Sequence, residues 1–297
     1  MIRIAIVGPT AVGKSAVALA VARRIGGEVL NADAVQLYRG LDRGAAKLPF
    51  AEREGVTHHL LDVADPDQTL SVAVYRELAQ AQAEEIERRG AIPIVCGGSG
   101  LYVRAALGEW TEFGTPPDPE FRRGAAAESG EELWARLREL DPAAAADLSP
   151  RDRPRLVRAI ERQRAGDGAP IAQKAPADVL KVGLFLPRAE LYRRIDQRAD
   201  ALWGDLLRET RELWRFRHAV CPALGAIGYR EAAWFLGGLV DEPAALRLLR
   251  RNTRHLAKRQ LTWWRHERDM VWLRPDDATE RIAELCAAWA GRPWRTD

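Results

Sequence analysis

The octapeptide GPTAVGKS occupies residues 8–15, directly after the apolar run IRIAIV (2–7) and before AVALAVARRIGG (16–27). A buried strand, a loop with the spacing Gly-x4-Gly-Lys-Ser and a following helix together form a phosphate-binding loop. The backbone N–H groups of such a loop and the positive end of the helix dipole both favour a phosphate. The stretch therefore predicts a phosphate site, whether the phosphate belongs to a nucleotide or to another molecule.

The side chains of this loop indicate that a phosphate group and a metal cation bind there together. Gly8 and Gly13 permit the backbone geometry, Lys14 supplies a positive charge, and the Ser15 hydroxyl is a ligand for Mg²⁺. We therefore expect Mg²⁺ as the cofactor.

A nucleotide triphosphatase also needs a carboxylate near its phosphate loop to help hold the metal. The strand predicted at 92–95 ends in Cys96-Gly-Gly-Ser instead, and the available carboxylate is Asp33, after the second predicted strand. A generic ATPase is therefore disfavoured. Asp33 suits either the cap of a following helix or a base for an attacking nucleophile. Ser99 suits either a helix N-cap or a donor to a leaving group.

Short apolar segments alternate with helical patterns along the chain, which indicates an α/β fold of the P-loop NTPase type with a parallel sheet and helical crossovers. The predicted strands are 2–7, 27–33, 92–100 and 180–187. Ligands of such sheets lie beyond the carboxyl ends of the strands, so residues 8–15, Asp33 and 97–99 should meet at one edge. We expect the core at 1–112 and 153–297, and a small helical insertion at 113–152 whose end lies between 152 and about 178.

Composition restricts the class of protein. Hydrophobic residues make up 47% and charged residues 29% of the 297 residues, which is ordinary for a soluble globular chain. Cys96, Cys221 and Cys286 are too far apart for a zinc site or a disulfide framework, so we expect reduced thiols in a cytoplasmic protein. A monomer is the default expectation for its oligomeric state. No run approaches the ~20 apolar residues that cross a bilayer, and no secretory signal is visible.

Basic residues crowd into one segment although the net charge is only +3. Such a strip suits either a polyanionic partner or a solvated helix face. Its members are Arg247, Arg250, Arg251, Arg254, Lys258, Arg259, Arg265 and Arg268.

Seven motifs follow one another in a diagnostic order. They are GPTAVGKS (8–15), NADAVQLYRGLDRGAAK (31–47), HHLLDVADP (58–66), GGSGLYVRAAL (97–107), DRPRLVRAIE (152–161), AIGYRE (226–231) and LAKRQLTWWR (256–265). In this order they closely resemble the tRNA dimethylallyltransferase family over nearly the whole chain. The resemblance implies transfer of a five-carbon group from dimethylallyl diphosphate to N6 of the adenosine just 3′ of the anticodon in tRNA.

The resemblance also implies roles for individual residues. Asp33 matches the residue that accepts a hydrogen bond or the proton from the attacking N6 amine. Ser99 matches a threonine whose hydroxyl contacts the oxygen that joins the prenyl carbon to the diphosphate. Arg198 matches an arginine that helps to hold the diphosphate. The diphosphate cradle matches Gly8, Thr10, Ala11, Gly13, Lys14 and Ser15, with Ser15 on Mg²⁺. Segments that touch tRNA match Asp33, Ala34, Val35, Gln36, Arg155, Arg158, Gly228, Tyr229, Arg230, Lys258, Arg259, Gln260 and Arg265.

The chain departs from the family pattern at a few positions. Ser99 replaces threonine but keeps the hydroxyl, whereas Ala34 and Ala45 replace hydroxyl residues and leave any contacts of those hydroxyls in doubt. Pro154 replaces a polar residue. In TWWR, Trp263 and the adjacent tryptophan are expected in the core, with base stacking as the alternative.

Other activities stay open on the sequence. Free AMP, ADP or ATP is an alternative acceptor for the same chemistry, although the basic segment and the insertion favour tRNA. A nucleotide or small-molecule kinase with a lid, and an RNA-binding module with an inactive loop, are further alternatives. The family favours tRNAs that read codons starting with U.

Overall fold

The computed structural model describes residues 2–109, 115, 117–166, 178–216 and 221–290. The strands within them are β1 (Arg3–Val7), β2 (Gly27–Asn31), β3 (His58–His59), β4 (Ile92–Gly97), β5 (Val179–Leu184) and β6 (Met270–Leu273). The helices are α1 (Lys14–Ile25), α2 (Val72–Arg88), α3 (Gly100–Leu107), α4 (Pro119–Ala125), α5 (Gly130–Leu140), α6 (Pro142–Ala146), α7 (Arg153–Arg164), α8 (Arg188–Leu213), α9 (Tyr229–Leu236), α10 (Glu242–Arg265) and α11 (Pro275–Ala290).

The strands form one parallel sheet in the order β3-β2-β4-β1-β5-β6, which confirms the α/β class. All five residues of β1 are buried, as an apolar run without alternation predicts. The four predicted strands are present: β1 ends at Val7 as predicted, and β2, β4 and β5 end two or three residues earlier than predicted. The sequence prediction missed β3, which has two residues, and β6, whose four residues are only half-buried.

Helices cover both faces of the sheet because each face is apolar. One face packs on α1 and α11 through residues such as Val21 and Ile282, and the other packs on α2 and α3 through Ala79 and Val103. A further cluster joins α8, α9 and α10 around Trp203. This three-layer arrangement leaves the carboxyl ends of the strands free to carry loops.

The chain divides into two compact units, Met1–Trp110 with Ala175–Asp297, and Thr111–Lys174. The second unit holds α4 to α7 around a core that includes Phe121, Leu133 and Ile160. Helix α7 packs against α5 in this unit, so in the structure the helical insertion continues beyond residue 152 through α7. Among the described residues, no helix has the length and apolar character needed to span a bilayer.

Candidate active site

The loops that follow β1, β2 and β4 meet at one edge of the sheet because these strands are neighbours in the order β2-β4-β1. They enclose a cavity of about 400 Å³, here called the first cavity. Its polar lining includes Thr10, Lys14, Ser15, Asp33, Cys96 and Arg198. Residues 8–15 and Asp33 therefore converge as the strand-end rule predicts.

The phosphate loop, residues 8–15, has the backbone shape of an anion cradle. Gly8 and Gly13 have φ of 143° and 109°, and Ala11 between them is left-handed with φ of 65°. A Cβ at Gly8 would lie 2.6 Å from the carbonyl oxygen of Leu184, so only glycine fits there. Alternating hands of this kind turn successive N–H groups toward one concave side, at the start of α1.

Three half-buried cations, Lys14, Arg194 and Arg198, and the carboxylate of Asp33 line the first cavity. Burial lowers the pKa of Lys14 to about 8, with Cys96 and Asp33 opposing the shift and Arg198 adding to it. Burial likewise lowers the pKa of Arg198, and Asp33 opposes it. Burial raises the pKa of the Cys96 thiol to about 11, so it stays neutral. The site therefore carries excess positive charge, as an anionic ligand requires.

Asp33 starts a tight turn instead of capping a helix. Its Oδ1 accepts a hydrogen bond from Val35 N at 2.9 Å, and its own N–H donates to Asn31 Oδ1 at 3.0 Å. Asn31 is anchored in turn to the Leu60 carbonyl at 2.9 Å. These contacts fix the carboxylate, and its Oδ2 has no hydrogen bond within the described part of the chain.

A second cavity of about 610 Å³ adjoins the first. It lies among α8, α9 and α10, and residues such as Arg230, Asn252 and Arg259 line it. Both cavities share Thr10, Asp33, Ala45 and Arg198. Since Asp33 and Arg198 border both spaces, the arrangement suits a reaction between two molecules, one held in each cavity.

The wall between the cavities, residues 42–46, is held by buried charges. Glu209 accepts hydrogen bonds from the N–H groups of Arg43 and Gly44 at 2.8 and 3.1 Å and from the Tyr229 hydroxyl at 2.6 Å. The Lys47 ammonium donates to the Tyr38 carbonyl at 2.7 Å and pairs with two aspartates. The sequence analysis named neither Glu209 nor Lys47 as a site residue.

Ser99 lies beside the first cavity but does not line it as Gly97 does. It is the N-cap residue of α3, yet its side chain makes no capping hydrogen bond. Ser99 therefore occupies the N-cap position, but its hydroxyl does not cap the helix. Contact of this hydroxyl with a leaving group stays a prediction.

Comparison with known proteins assigns the family. The IPP transferase family profile matches residues 36–267. The chain belongs to the IPP transferase family. It is 42% identical to tRNA dimethylallyltransferase from Symbiobacterium thermophilum over 95% of this chain and 94% of that protein. Identity to the Anaeromyxobacter dehalogenans protein of the same name is 43%, over 94% and 96%.

A solved structure from the family has the same fold. The crystal structure of the full-length tRNA isopentenylpyrophosphate transferase from Bacillus halodurans matches with a TM-score of 0.74 and 35% identity, covering 96% of this chain and 95% of that one. A P-loop-like parallel sheet is therefore the fold of this IPP transferase as well.

The basic strip of this IPP transferase is partly neutralised within the chain. Arg250 pairs with Asp200, and Arg254 forms a two-pronged pair with Asp196, both on α8. Lys258, Arg259 and Arg265 are exposed and make no ion pair among the residues described. The free part of the strip is thus shorter than the sequence suggests.

Two predicted RNA contacts have other partners in the structure. The Tyr229 side chain is fully buried with its hydroxyl on Glu209, so it supports the second cavity from within the core. Gln260 accepts a hydrogen bond from Thr10 in the phosphate loop. Trp264 is 2% exposed and Trp263 packs beside it, which confirms core packing over base stacking.

Arg155 and Arg158 belong to the second compact unit. Arg155 pairs with Asp152 at 3.3 Å, whereas Arg158 donates to the Thr115 carbonyl at 2.6 Å and pairs with Glu161. Contact of these arginines with RNA stays a prediction, as do the contacts of Ala34, Val35 and Gln36. Gln36 lines the first cavity and donates to the Ala45 carbonyl at 3.1 Å.

Proposed function

We propose that this chain transfers a dimethylallyl group from dimethylallyl diphosphate to N6 of the adenosine just 3′ of the anticodon in tRNA, giving N6-isopentenyladenosine and diphosphate. The proposal is supported by membership of the IPP transferase family. The observation that carries it is the pair of cavities that share Asp33 and Arg198.

The first cavity suits the prenyl donor. Its cationic end, with Lys14, Arg198 and the phosphate loop, matches a diphosphate. Val29, Leu48 and Leu61 line the same space and suit a short hydrocarbon. Strand β4 ends without a carboxylate, as expected of a site that does not hydrolyse a nucleoside triphosphate.

The residues present fit a magnesium ion that is shared with the diphosphate. The described residues contain no group of three or more His, Cys, Asp or Glu that would hold a metal alone. The Ser15 hydroxyl lines the first cavity beside the phosphate loop and would be a protein ligand. When bound, Mg²⁺ supplies charge neutralisation to the departing diphosphate.

The reaction joins a weak nucleophile to a good electrophile. The N6 lone pair is delocalised into the adenine ring, whereas the allylic C1 can bear positive charge as its bond to oxygen breaks. The N6–C1 bond forms, the C1–O bond breaks with its electron pair leaving on diphosphate, and the amine proton passes to Asp33. Lys14, Arg198 and the loop amides stabilise the negative charge on the leaving group.

The second cavity suits the acceptor base. A base in an anticodon loop must leave its stack to reach a reacting group, and single-stranded bases are held by stacking and by hydrogen bonds to their edges. Arg230, Asn252 and Arg259 supply donors there. We infer that the protein acts as a monomer in the cytoplasm. By its family, the chain selects tRNAs that read codons starting with U.

An acceptor comparison tests the proposal. The protein is incubated with Mg²⁺, labelled dimethylallyl diphosphate and one of three acceptors: an anticodon stem–loop, the same stem–loop with guanosine at the target position, or AMP. We expect label only in the first. Label in AMP would instead indicate an enzyme for free adenine nucleotides, and no label in any acceptor would reject prenyl transfer.

A further inference from the structure

Gln260 lies on α10, in the motif grouped with the RNA contacts, but its side chain contacts the phosphate loop. Its Oε1 accepts a hydrogen bond from the Thr10 N–H at 2.8 Å. The two residues are separated by 250 positions in the chain and lie in the same compact unit. The side-chain oxygen of Gln260 is therefore bonded to the phosphate loop of the first cavity.

The other end of the Gln260 amide packs against the loop that follows β4. A Cβ at Gly98 would lie 2.3 Å from Gln260 Nε2 and 3.3 Å from the Gly8 carbonyl oxygen. The amide thus lies between the loops after β1 and β4, at a distance that glycine at position 98 permits. One turn further along α10, Trp263 packs on Gly100 so closely that a Cβ there would lie 1.9 Å from the indole nitrogen.

The N–H that donates to Gln260 belongs to Thr10, the residue just before the strained Ala11. Thr10 precedes Ala11, whose left-handed φ of 65° costs a non-glycine residue roughly 1 kcal/mol or more. Such a conformation persists only when surrounding contacts hold it. A hydrogen bond to the Thr10 N–H fixes the preceding peptide and so helps to hold the concave shape of residues 8–15.

We propose that Gln260 is a positioning residue that sets the phosphate loop for the diphosphate of the donor and makes no contact with RNA. The identity of the donor rests on the proposed function. The positioning of the loop does not, because inorganic pyrophosphate probes it without any turnover.

The test separates pyrophosphate binding from RNA binding. Gln260→Met keeps the length of the side chain and its packing on Gly98 but removes the acceptor. We expect the Kd of inorganic pyrophosphate with Mg²⁺, and the KM for dimethylallyl diphosphate, to rise roughly five- to tenfold, as for loss of one hydrogen bond. The Kd of an anticodon stem–loop should stay within twofold of the parent value.

Arg259→Met is the matched control on the same helix. It lines the second cavity, so it should weaken stem–loop binding and leave pyrophosphate binding unchanged. Weaker stem–loop binding by Gln260→Met with unchanged pyrophosphate affinity would overturn the proposal and return Gln260 to the RNA contacts. A wild-type protein that binds pyrophosphate but transfers nothing would reject the proposed function and leave this inference intact.

Gly98→Ala is the second variant, and it serves even if Gln260→Met fails to fold. The added methyl group displaces the Gln260 amide, so pyrophosphate affinity should fall while stem–loop affinity persists. The double variant with Gln260→Met should lose no more affinity than the worse single variant, because both act on one hydrogen bond. Unchanged pyrophosphate affinity in Gly98→Ala would contradict the proposal.

Discussion

Asp33 borders both cavities, with one oxygen bound to Val35 N–H and the other directed to no partner among the described residues. Asp33→Asn keeps the oxygen that forms the turn but abolishes the base. We expect single-turnover transfer to fall about 10²- to 10⁴-fold, the usual contribution of a general base, while pyrophosphate binding survives. Rapid-quench assays measure the rate. Unchanged turnover would remove Asp33 from the mechanism.

Lys14 predicts a pH dependence of diphosphate binding. Burial lowers the pKa of this amine from 10.5 to about 8, so it is charged below that pH and increasingly neutral above it. An anion binds the charged form, and affinity should therefore decline as pH rises through about 8. The measurement is the ratio of pyrophosphate affinities of wild type and Lys14→Met between pH 7 and 9.5, which cancels ionisation of the ligand. A ratio independent of pH would contradict the assigned charge.

The loop of residues 42–46 separates the two cavities. Glu209 on α8 holds this loop by accepting hydrogen bonds from its backbone N–H groups. Glu209→Gln replaces one accepting oxygen with a donor, so a buried N–H or hydroxyl loses its partner. We expect about 1–3 kcal/mol loss in the free energy of unfolding and faster tryptic cleavage after Arg43. The control is Glu212→Gln, an exposed glutamate on the same helix. Equal cleavage rates in the two variants would show that Glu209 does not hold the loop.

Helix α10 carries both paired and unpaired cations, and these should respond differently to salt. Replacing Lys258 and Arg265 with glutamine should lower the slope of log affinity for a stem–loop against log salt by roughly 1.4–1.8, if each contacts one phosphate. Arg250→Gln, whose partner is Asp200, should leave the slope unchanged. Fluorescence anisotropy measured between about 50 and 300 mM salt gives the slopes. Identical slopes for all three proteins would exclude Lys258 and Arg265 as RNA contacts.

The sequence predicted the elements whose signals are local. The phosphate loop follows from glycine, lysine and serine spacing, and the meeting of Asp33 with this loop follows from parallel strand ends. Strand β3 was missed because its two residues, both histidine, carry no apolar pattern. Strand β6 is the short apolar run MVWL, which is a usable signal that the sequence prediction overlooked. Arg254 was assigned to the RNA strip because its partner, Asp196, lies 58 positions away.

Residues that support the site were missed for a related reason. Glu209 is one of many charged residues on α8, and nothing near it in sequence distinguishes the glutamate that reaches Arg43, 166 positions away. Gln260 is an ordinary polar residue of a basic helix until the fold brings it to Thr10. Lys47 could have been selected as a candidate site residue from the sequence, since it is the charged residue at the end of the motif at 31–47.

At the scale of the whole molecule, the fold places an anion cradle and a larger polar cavity on either side of one carboxylate. The central claim is that the cradle holds a prenyl diphosphate and that an RNA base enters from the other cavity. A nucleotide kinase would use the same cradle for ATP and the second cavity for its phosphoryl acceptor. The two accounts differ in what leaves the cradle: a hydrocarbon group in one and a phosphoryl group in the other.

A double-label reaction tests this claim most directly. Dimethylallyl diphosphate labelled in the prenyl group and ATP labelled in the γ-phosphate are supplied together, with Mg²⁺ and an anticodon stem–loop, and the products are separated. We predict prenyl label on the adenosine 3′ of the anticodon, unlabelled diphosphate released, and ATP intact. Phosphate label on any acceptor, with the prenyl label left in its diphosphate, would contradict the account.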